Sequence, residues 1–399
     1  MYISGVLGAM LTTIFFIFVI AFIGYLLGGI TVKGISLGTA GVLVIALVFG
    51  VIASKVPSFN VGDVTINLFN KETIKPIYSF VSNLGTALFV TAVGLIAGPK
   101  FFRSFNKNSI GYILMGLVII ASGTAITILV KLVSGMDASM AVGLMTGALT
   151  STPGLSAAKE VAGEAGESLV TSGYGIAYLF GVLGVVFFVQ LVPKLAKINV
   201  EEERNKIVAA AGVNIRKIDK KLFKIDSLDF FPFMLTVVFG MIIGAFKIPG
   251  INFSLGSSGG TLVAGLIVGH FGHVGKIDLA VSKNTLNFMR ELGLCLFLIG
   301  AGVPGGVNFI SHVKLSYFLY GAVITIVPMI IGYIFAKYVF KFSIFNNLAS
   351  ITGGMTSTPA LGTLISVAGT DEISGSYAAT YPIALVFVVL AAKIIVLLF

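Results

Sequence analysis

The chain has 399 residues, of which 57% are hydrophobic and 11% are charged. A soluble globular domain averages about 45–50% apolar and about 25% charged residues, so this composition excludes a soluble protein and indicates one that lies in lipid. The net charge of +10 would suggest nucleic-acid binding in a soluble protein. In a membrane protein the positive-inside rule explains basic loops, so we expect a bilayer protein that binds no nucleic acid.

Twelve apolar segments follow one another along the chain, and many approach the roughly 20 residues that a helix needs to cross the hydrocarbon. They cover residues 8–29, 36–54, 79–98, 109–133, 140–163, 174–193, 229–247, 257–271, 289–306, 315–339, 347–369 and 376–398. Alternating ten-residue strands are absent from the sequence, which favours a helical bundle over an outer-membrane barrel. A polar stretch divides the chain into a first transmembrane repeat (1–193), a short basic cytoplasmic linker (194–228) and a second transmembrane repeat (229–399).

The two halves carry the same motifs in the same order. TGALTSTPGL at 146–155 matches TGGMTSTPAL at 352–361, and Val-Ala-Gly at 161–163 matches Val-Ala-Gly at 367–369. Two tyrosines four positions apart also follow each motif: Tyr174 and Tyr178 in the first half, Tyr377 and Tyr381 in the second. Matches that keep one order in both halves indicate an internal duplication.

The basic loops predict how the halves are oriented. Positive residues collect in residues 100–107 and in the linker, and both should face the cytoplasm. Three apolar segments separate them, so one must fail to cross, and segment 140–163 is the best candidate because Pro and Gly interrupt it. Five crossings and one re-entrant or broken segment per half would invert the second half. We therefore predict an all-α polytopic membrane protein with two inverted repeats and both termini outside.

The twin Thr-Ser-Thr-Pro (TSTP) motif is the strongest functional signal. Irregular backbone at membrane depth is tolerated where protein buries it or where it lines a watery cavity. A half-helix that starts there offers amide groups and partial positive charge to an anion such as a carboxylate. Substrate contacts are predicted for both copies at Gly147, Thr150, Ser151, Thr152, Pro153, Gly154, Gly353, Gly354, Thr356, Ser357, Thr358 and Pro359. The alternative is a Pro-kinked helix whose hydroxyls bond to the preceding turn.

Arg290 is predicted as a further carboxylate ligand. Arg290-Glu291 opens an apolar segment at the position where the first half has Ser82-Asn83, and a guanidinium binds a carboxylate in a bidentate way. An ion pair at the membrane face explains the same residues equally well. The histidines have no companion metal ligands, and the sequence contains no P-loop. We therefore predict no metal, no cofactor, no ATP-driven transport and no enzymatic activity.

Three other charged residues lie near or within apolar segments. Lys159 and Glu160 follow the first motif, and two adjacent charges cannot share one helix face, so we expect both to be solvated at a hairpin end. Lys393 lies late in the last segment, and its long side chain is expected to reach the membrane surface.

These features resemble the aspartate:alanine exchanger family. The resemblance rests on GISLGTAGVLVIALVFG (34–50), NLGTALFVTAVGLIAG (83–98) and the paired TSTP segments, and it covers nearly all the apolar sequence. The family comprises bacterial inner-membrane antiporters for aspartate and alanine, with relatives that export succinate. Many members carry regulatory domains of the TrkA C-terminal type between the halves. The linker here, about 35 residues long, is too short for one.

The resemblance implies a secondary antiporter for small carboxylates or amino acids, with an elevator-type movement in a homodimer as a family analogy. One alternative is a sodium- or proton-coupled carboxylate symporter or a cation/proton antiporter. It requires acidic residues beside the broken helices, and Glu291 is the main candidate. A second alternative is an anion channel, which predicts currents far above carrier turnover and no trans-stimulation.

Overall fold

The computed structural model describes residues 2–32, 35–36, 38–61, 64–70, 72–101, 110–210, 222–248, 253–307, 309–370 and 372–399. Within these ranges the long apolar runs form helices, because a helix satisfies its own backbone hydrogen bonds in lipid. The helices of the first half are α1 (Tyr2–Gly29), α2 (Ala40–Lys55), α3 (Lys75–Phe101), α4 (Ile110–Ser134), α5 (Ala138–Ala148) and α6 (Thr152–Leu195).

Helix α7 (Val200–Ala210) lies in the linker. The helices of the second half are α8 (Phe230–Ala245), α9 (Gly256–Phe271), α10 (Lys283–Val307), α11 (Phe309–His312), α12 (Leu315–Ile334), α13 (Ile344–Gly354), α14 (Thr358–Ala368) and α15 (Ser374–Leu398). A π-helical turn, Phe335–Val339, extends α12. Every predicted apolar segment coincides with one or two of these helices.

Within the described ranges, four antiparallel two-stranded hairpins connect helices, and the sequence analysis does not predict them. They are β1 (Thr31–Val32) with β2 (Ile35–Ser36), β3 (Ser58–Val61) with β4 (Val64–Asn67), β5 (Lys247–Ile248) with β6 (Phe253–Ser254), and β7 (His273–Val274) with β8 (Ile277–Asp278). Strands of two to four residues are too short to give a periodic pattern in the sequence.

Seven of the described helices are long and apolar enough to cross a membrane, judged by length and composition: α1, α3, α4, the later part of α6, α10, α12 and α15. Three further helices, α2, α8 and α9, have 16 residues each, which corresponds to about 24 Å at 1.5 Å per residue. The prediction of an all-α polytopic membrane protein is confirmed.

The first TSTP motif lies at the tip of a helical hairpin. Gly163, at φ 65° and ψ 177°, divides α6 into a first part and a second part. Gly143 of α5 lies against Val170, and Gly147 lies against Tyr174, so α5 runs parallel to the second part of α6. The first part of α6 must therefore run back beside α5. We call α5 and the first part of α6 hairpin 1.

Hairpin 2 consists of α13 and α14 and carries the second motif at its tip. Helix α13 runs parallel to α15, because Ser376 donates to the Asn346 side chain at 3.0 Å and Gly353 lies against Tyr377. Helices α5, α13 and α14 have 11 residues each, about 16 Å or roughly half the hydrocarbon thickness. Each hairpin is thus too short to cross, and each broken segment re-enters.

The remaining helices assemble around two antiparallel pairs. Helix α3 packs along α10, with Gly85 against Phe297 and Gly300 against Ser82. Helix α2 lies on α10 and α9 lies on α3, with α1 and α8 outside them. These six helices are called the support bundle.

The second bundle contains both hairpins. Helix α4 packs antiparallel to α12, with Gly123 against Pro328 and Gly332 against Ile119. The hairpins and helices α6 and α15 complete this set, which we call the hairpin bundle. Helix α6 lies against α2, α3, α9 and α10 of the support bundle, and α15 lies against α3 and α9, so these contacts form the interface between the bundles.

The hairpins open at opposite ends of the molecule. The Phe223 amide of the linker donates to the Lys276 carbonyl at 2.8 Å, so the start of α10 lies at the linker end, which we call the linker face. Arg204 of α7 lies beside Gly369, at the open end of hairpin 2. Hairpin 1 opens at the other end, the far face, where Glu164 accepts from Lys75 at the start of α3.

Candidate substrate site

The two motif copies meet tip to tip. The Thr150 hydroxyl donates to the Met355 carbonyl at 2.8 Å, and the Thr356 hydroxyl donates to the Leu149 carbonyl at 2.9 Å. Each hydroxyl therefore satisfies a carbonyl that the other hairpin leaves free at the end of its first helix. These reciprocal bonds fix the separation of the two tips.

Both tip threonines have a left-handed backbone, with φ of 53° at Thr150 and 51° at Thr356. This conformation is unfavourable for a β-branched residue and costs about 1–3 kcal/mol per site, so it persists only where its surroundings enforce it. Glycine would adopt this conformation more easily but has no side chain to make the cross-tip bond.

A cavity of about 370 Å³ lies beside the tips. Its walls come from both hairpins, three of the four repeated tyrosines and the support bundle. The lining residues are Gly38, Thr39, Leu43, Phe89, Val93, Thr150, Thr152, Pro153, Tyr174, Tyr178, Arg290, Glu291, Leu294, Leu298, Thr356, Tyr381 and Leu385. We call this space the tip cavity. Its volume suits a small metabolite.

Five of the predicted site residues line the tip cavity: Thr150, Thr152, Pro153, Thr356 and Arg290. The structure brings residues from both motif copies and α10 to one place, although Thr150 and Thr356 are 206 positions apart in sequence. The side chains of Thr358 and Pro359 lie outside the described part of the structure.

Other predicted residues are buried within the hairpin tips and do not line the cavity. Ser151 is fully buried, and its hydroxyl accepts from the Gly154 amide at 3.2 Å. The equivalent Ser357 hydroxyl is also buried but has no hydrogen-bond partner among the described residues. Gly147, Gly353 and Gly354 allow close helix packing, against Tyr174, Tyr377 and Ile119 respectively.

The amide groups at the start of the first part of α6 are largely occupied. The Gly154 amide donates to the Ser151 hydroxyl, and the Leu155 amide donates to the Ser151 carbonyl at 3.0 Å. An anion in the tip cavity would therefore meet side-chain hydroxyls and the helix dipole more than free amides. The sequence predicted both amide and hydroxyl contacts, and the hydroxyls are the groups that the described hairpin tips leave for a ligand.

Arg290 is both a cavity residue and an ion-pair partner. Its guanidinium donates to the Glu291 carboxylate at 3.1 Å, and the Thr39 hydroxyl donates to the other oxygen of Glu291 at 2.8 Å. Arg290 thus lines the cavity, as a carboxylate ligand would, and also forms the ion pair that the alternative interpretation describes. A substrate carboxylate could compete with Glu291 for the same guanidinium.

Several lining residues were not predicted as site residues. The Thr152 hydroxyl lies 3.1 Å from the Tyr174 hydroxyl, and Tyr178 and Tyr381 complete the aromatic wall. The sequence analysis used these tyrosines only as evidence of the internal repeat. Because they recur after each motif copy, they could also have been predicted as site residues. Thr39 had no comparable signal, because it reaches the cavity only through the packing of α2 on α10.

Phe89 lines the tip cavity and packs against Phe297, its equivalent in the second half, with ring centroids 5.4 Å apart between α3 and α10. The hydroxyls of Thr86 and Ser156 lie 3.1 Å apart and are buried, which joins α3 to hairpin 1.

Across the described residues, no group of three or more His, Cys, Asp or Glu side chains could hold a metal ion.

Hairpin 1 also contacts the start of α9 at the far face. Glu160 accepts from the Ser257 hydroxyl at 2.6 Å, from the Ser258 amide at 2.7 Å and from Lys393 at 2.7 Å. Lys393 is 1% exposed. The Glu160 side chain keeps 21% exposure, so it is partly solvated as well as bonded. The expectation that Lys393 reaches the membrane surface is wrong, because Glu160 supplies a counter-charge that lets its ammonium be buried.

The cross-tip bonds predict a measurable stability contribution. Thr150→Val or Thr356→Val leaves a buried carbonyl without a donor, so each should lower the free energy of unfolding by about 1–3 kcal/mol. Chemical unfolding in detergent would measure this. The double variant should lose less than the sum, because both bonds form one contact. Thr124→Val is the control, because it removes a hydroxyl bonded within its own helix, and it should change stability by at most about 0.5 kcal/mol. If Thr150→Val, Thr356→Val and Thr124→Val lower the stability equally, the tip contact is contradicted.

The described helices form a membrane bundle in which two hairpins meet at the tip cavity. The chain belongs to the Asp-Al_Ex family, described as "Predicted Permease Membrane Region", which matches residues 16–194 and 232–397. The interruption of the match coincides with the linker. The chain is consistent with a family member that lacks central regulatory domains.

Curated relatives cover almost the whole chain. Uncharacterized transporters from Bacteroides fragilis (strain YCH46) and Bacteroides thetaiotaomicron are each 26% identical over 541 aligned positions, covering 96% of this chain and 97% of the relative. An uncharacterized transporter from Desulfotalea psychrophila is 24% identical, covering 96% of each chain. The protein is therefore a multi-pass membrane transporter. The 541 aligned positions exceed its 399 residues, so the relatives contain segments that it lacks.

Proposed function

We propose that the protein is a secondary antiporter that exchanges small carboxylates or amino acids, such as aspartate, alanine or succinate. The observation that carries the proposal is the tip cavity, which combines hydroxyls from both hairpins with the Arg290 guanidinium. Neutral hydroxyls can replace the water shell of a carboxylate without holding it too tightly to leave. The guanidinium provides charge recognition at the cavity wall.

Inverted repeats are the second part of the proposal. Each helix of the first half would have an equivalent of opposite direction in the second half. The antiparallel pairing of α3 with α10 and of α4 with α12 supports this, and so do the opposite openings of the two hairpins. The helices α2, α8 and α9 would then join the seven longer ones as crossings. The basic linker favours a cytoplasmic linker face in the bacterial inner membrane.

Alternating access would follow from relative movement of the two bundles. The tip cavity lies toward the linker face, where Arg290, Glu291 and Thr39 line it, whereas Glu160 joins hairpin 1 to α9 at the far face. This asymmetry corresponds to an inward-facing state. An elevator-type shift of the hairpin bundle within a homodimer would break the Glu160 contact and move the tips toward the far face.

Counterflow in proteoliposomes tests the proposed exchange. Vesicles containing the purified protein would be preloaded with aspartate, alanine or succinate and diluted into a labelled carboxylate. Exchange predicts uptake that requires the internal substrate and persists without ATP or an ion gradient. Failure of a broad carboxylate panel to exchange would refute the substrate class.

Coupled transport is the second candidate, and Glu291 favours it. This carboxylate lines the tip cavity and accepts from both Arg290 and Thr39, so it could instead bind a coupling cation or proton. The coupled mechanism predicts uptake that collapses without a sodium or proton gradient. Absence of net uptake into vesicles that contain no internal substrate, under an imposed sodium or proton gradient, would exclude it.

A further inference from the structure

We propose that Lys159 forms a second anion-binding site, in a cavity at the far face. This cavity has a volume of about 920 Å³ and lies between hairpin 1 and the ends of α3 and α10. Its polar lining includes Lys75, Ser79, Asn83, Lys159, Glu164 and Glu167. The inference rests on the proposed function for its ligand class, a small carboxylate.

The Lys159 ammonium has no carboxylate partner in the described structure. No described acidic side chain lies within 4 Å of it. Its contacts are the Ser82 hydroxyl at 3.4 Å and the Phe297 ring, whose centroid is 5.7 Å away. A hydroxyl and a ring face compensate a partly buried ammonium only weakly, so an incoming carboxylate would supply the missing counter-charge.

The other charges of this cavity are accounted for. Lys75 bonds to Glu164 at 3.4 Å, and the Glu164 side chain is 93% exposed. Glu167 also lines the wall; it interacts electrostatically with Lys159 but lies beyond salt-bridge distance of its ammonium. Partial burial lowers the pKa of His312, which disfavours its charged form. Lys159 is thus the cation of this cavity, within the described residues, that forms no salt bridge and can take a ligand.

Comparison of the two halves gives a reason for the position of Lys159 on hairpin 1. At the linker face, the support bundle supplies Arg290 and Glu291 to the tip cavity. The equivalent positions of α3 are Ser82 and Asn83, which carry no charge. Lys159 reaches Ser82 from hairpin 1 and so places a cation where the first half has no arginine. Each face would then have one cation near the packed rings of Phe89 and Phe297: Arg290 at the linker face and Lys159 at the far face.

The proposed site can be tested by thiol labelling, with no need for transport. Ser79→Cys in a Cys295→Ser background places one thiol in the far-face cavity. Its reaction rates with a sulfonate-bearing and a trimethylammonium-bearing methanethiosulfonate would be compared in the purified full-length protein. We expect the anionic-to-cationic rate ratio to fall about tenfold in Lys159→Gln, because a focused charge changes local ion concentration to that extent.

Succinate protection gives the second readout, with potassium chloride at equal ionic strength as the control. Succinate should slow labelling in the parent, in Lys159→Arg and in the matched variant Lys75→Gln, but not in Lys159→Gln. Absent protection in the parent, or equal protection in Lys159→Gln, would overturn the site. Counterflow on the same preparations separates the two claims: protection without exchange refutes the antiporter alone, and exchange without protection refutes the site alone.

Discussion

Glu160→Ala is expected to lower the free energy of unfolding by about 3–5 kcal/mol, because it leaves a buried ammonium without a counter-charge. Lys393 is 1% exposed and bonds to the Glu160 carboxylate at 2.7 Å. The same change removes the acceptor for the Ser257 hydroxyl and the Ser258 amide at the start of α9. Chemical unfolding in a mild detergent would measure the loss.

Two variants show whether the loss comes from the buried charge. Glu164→Ala breaks an exposed pair with Lys75 and should cost less than about 1 kcal/mol. Glu160→Gln combined with Lys393→Met removes both charges and should recover most of the loss, because an apolar replacement of a buried ion pair is often neutral. A loss in the double variant as large as that of Glu160→Ala would contradict the ion-pair explanation.

Arg290→Gln is expected to weaken the apparent substrate affinity by about 10- to 100-fold, since a hydrogen bond to a charged group contributes roughly 1.5–3 kcal/mol. Its guanidinium lines the tip cavity and is held by Glu291 at 3.1 Å. Initial rates of counterflow over a range of substrate concentrations would measure the change. Arg290→Lys should lose less, because it keeps the charge but not the bidentate geometry.

Lys283→Gln is the matched control, because it removes an exposed positive charge at the start of the same helix, away from the cavity. It should leave the affinity unchanged. If Arg290→Gln and Lys283→Gln have equal effects, Arg290 acts through the general positive potential of the linker face. That result would remove it from the substrate site.

Helix positions followed directly from the sequence, because apolar runs in lipid can only satisfy their backbone as helices. Segment 140–163 was predicted to fail to cross from charge counting and from its Pro and Gly. The hairpin form came from the structure, because it depends on Gly163 reversing the chain and on Gly143 admitting Val170. Such close contacts are not visible in a hydropathy pattern.

The sequence predicted which motifs form the site, but not the hydrogen bonds that their side chains make. Thr150 and Thr356 were predicted together because the repeat is visible in sequence. Their cross-tip bonds and the capping by Ser151 required coordinates. The Glu160–Lys393 pair was missed because 233 positions separate its partners, and a single sequence contains no signal for a contact of that range.

Equilibrium binding to the tip cavity tests the central claim most directly. Titration of the purified protein with aspartate, alanine and succinate would compare the parent with Thr152→Val, whose hydroxyl lines the cavity beside Tyr174. Thr146→Val is the control, because its buried hydroxyl bonds within α5 and does not line the cavity. We predict that at least one carboxylate binds, that Thr152→Val weakens binding about tenfold and that Thr146→Val does not. Unchanged affinity in Thr152→Val would contradict a substrate site at the hairpin tips.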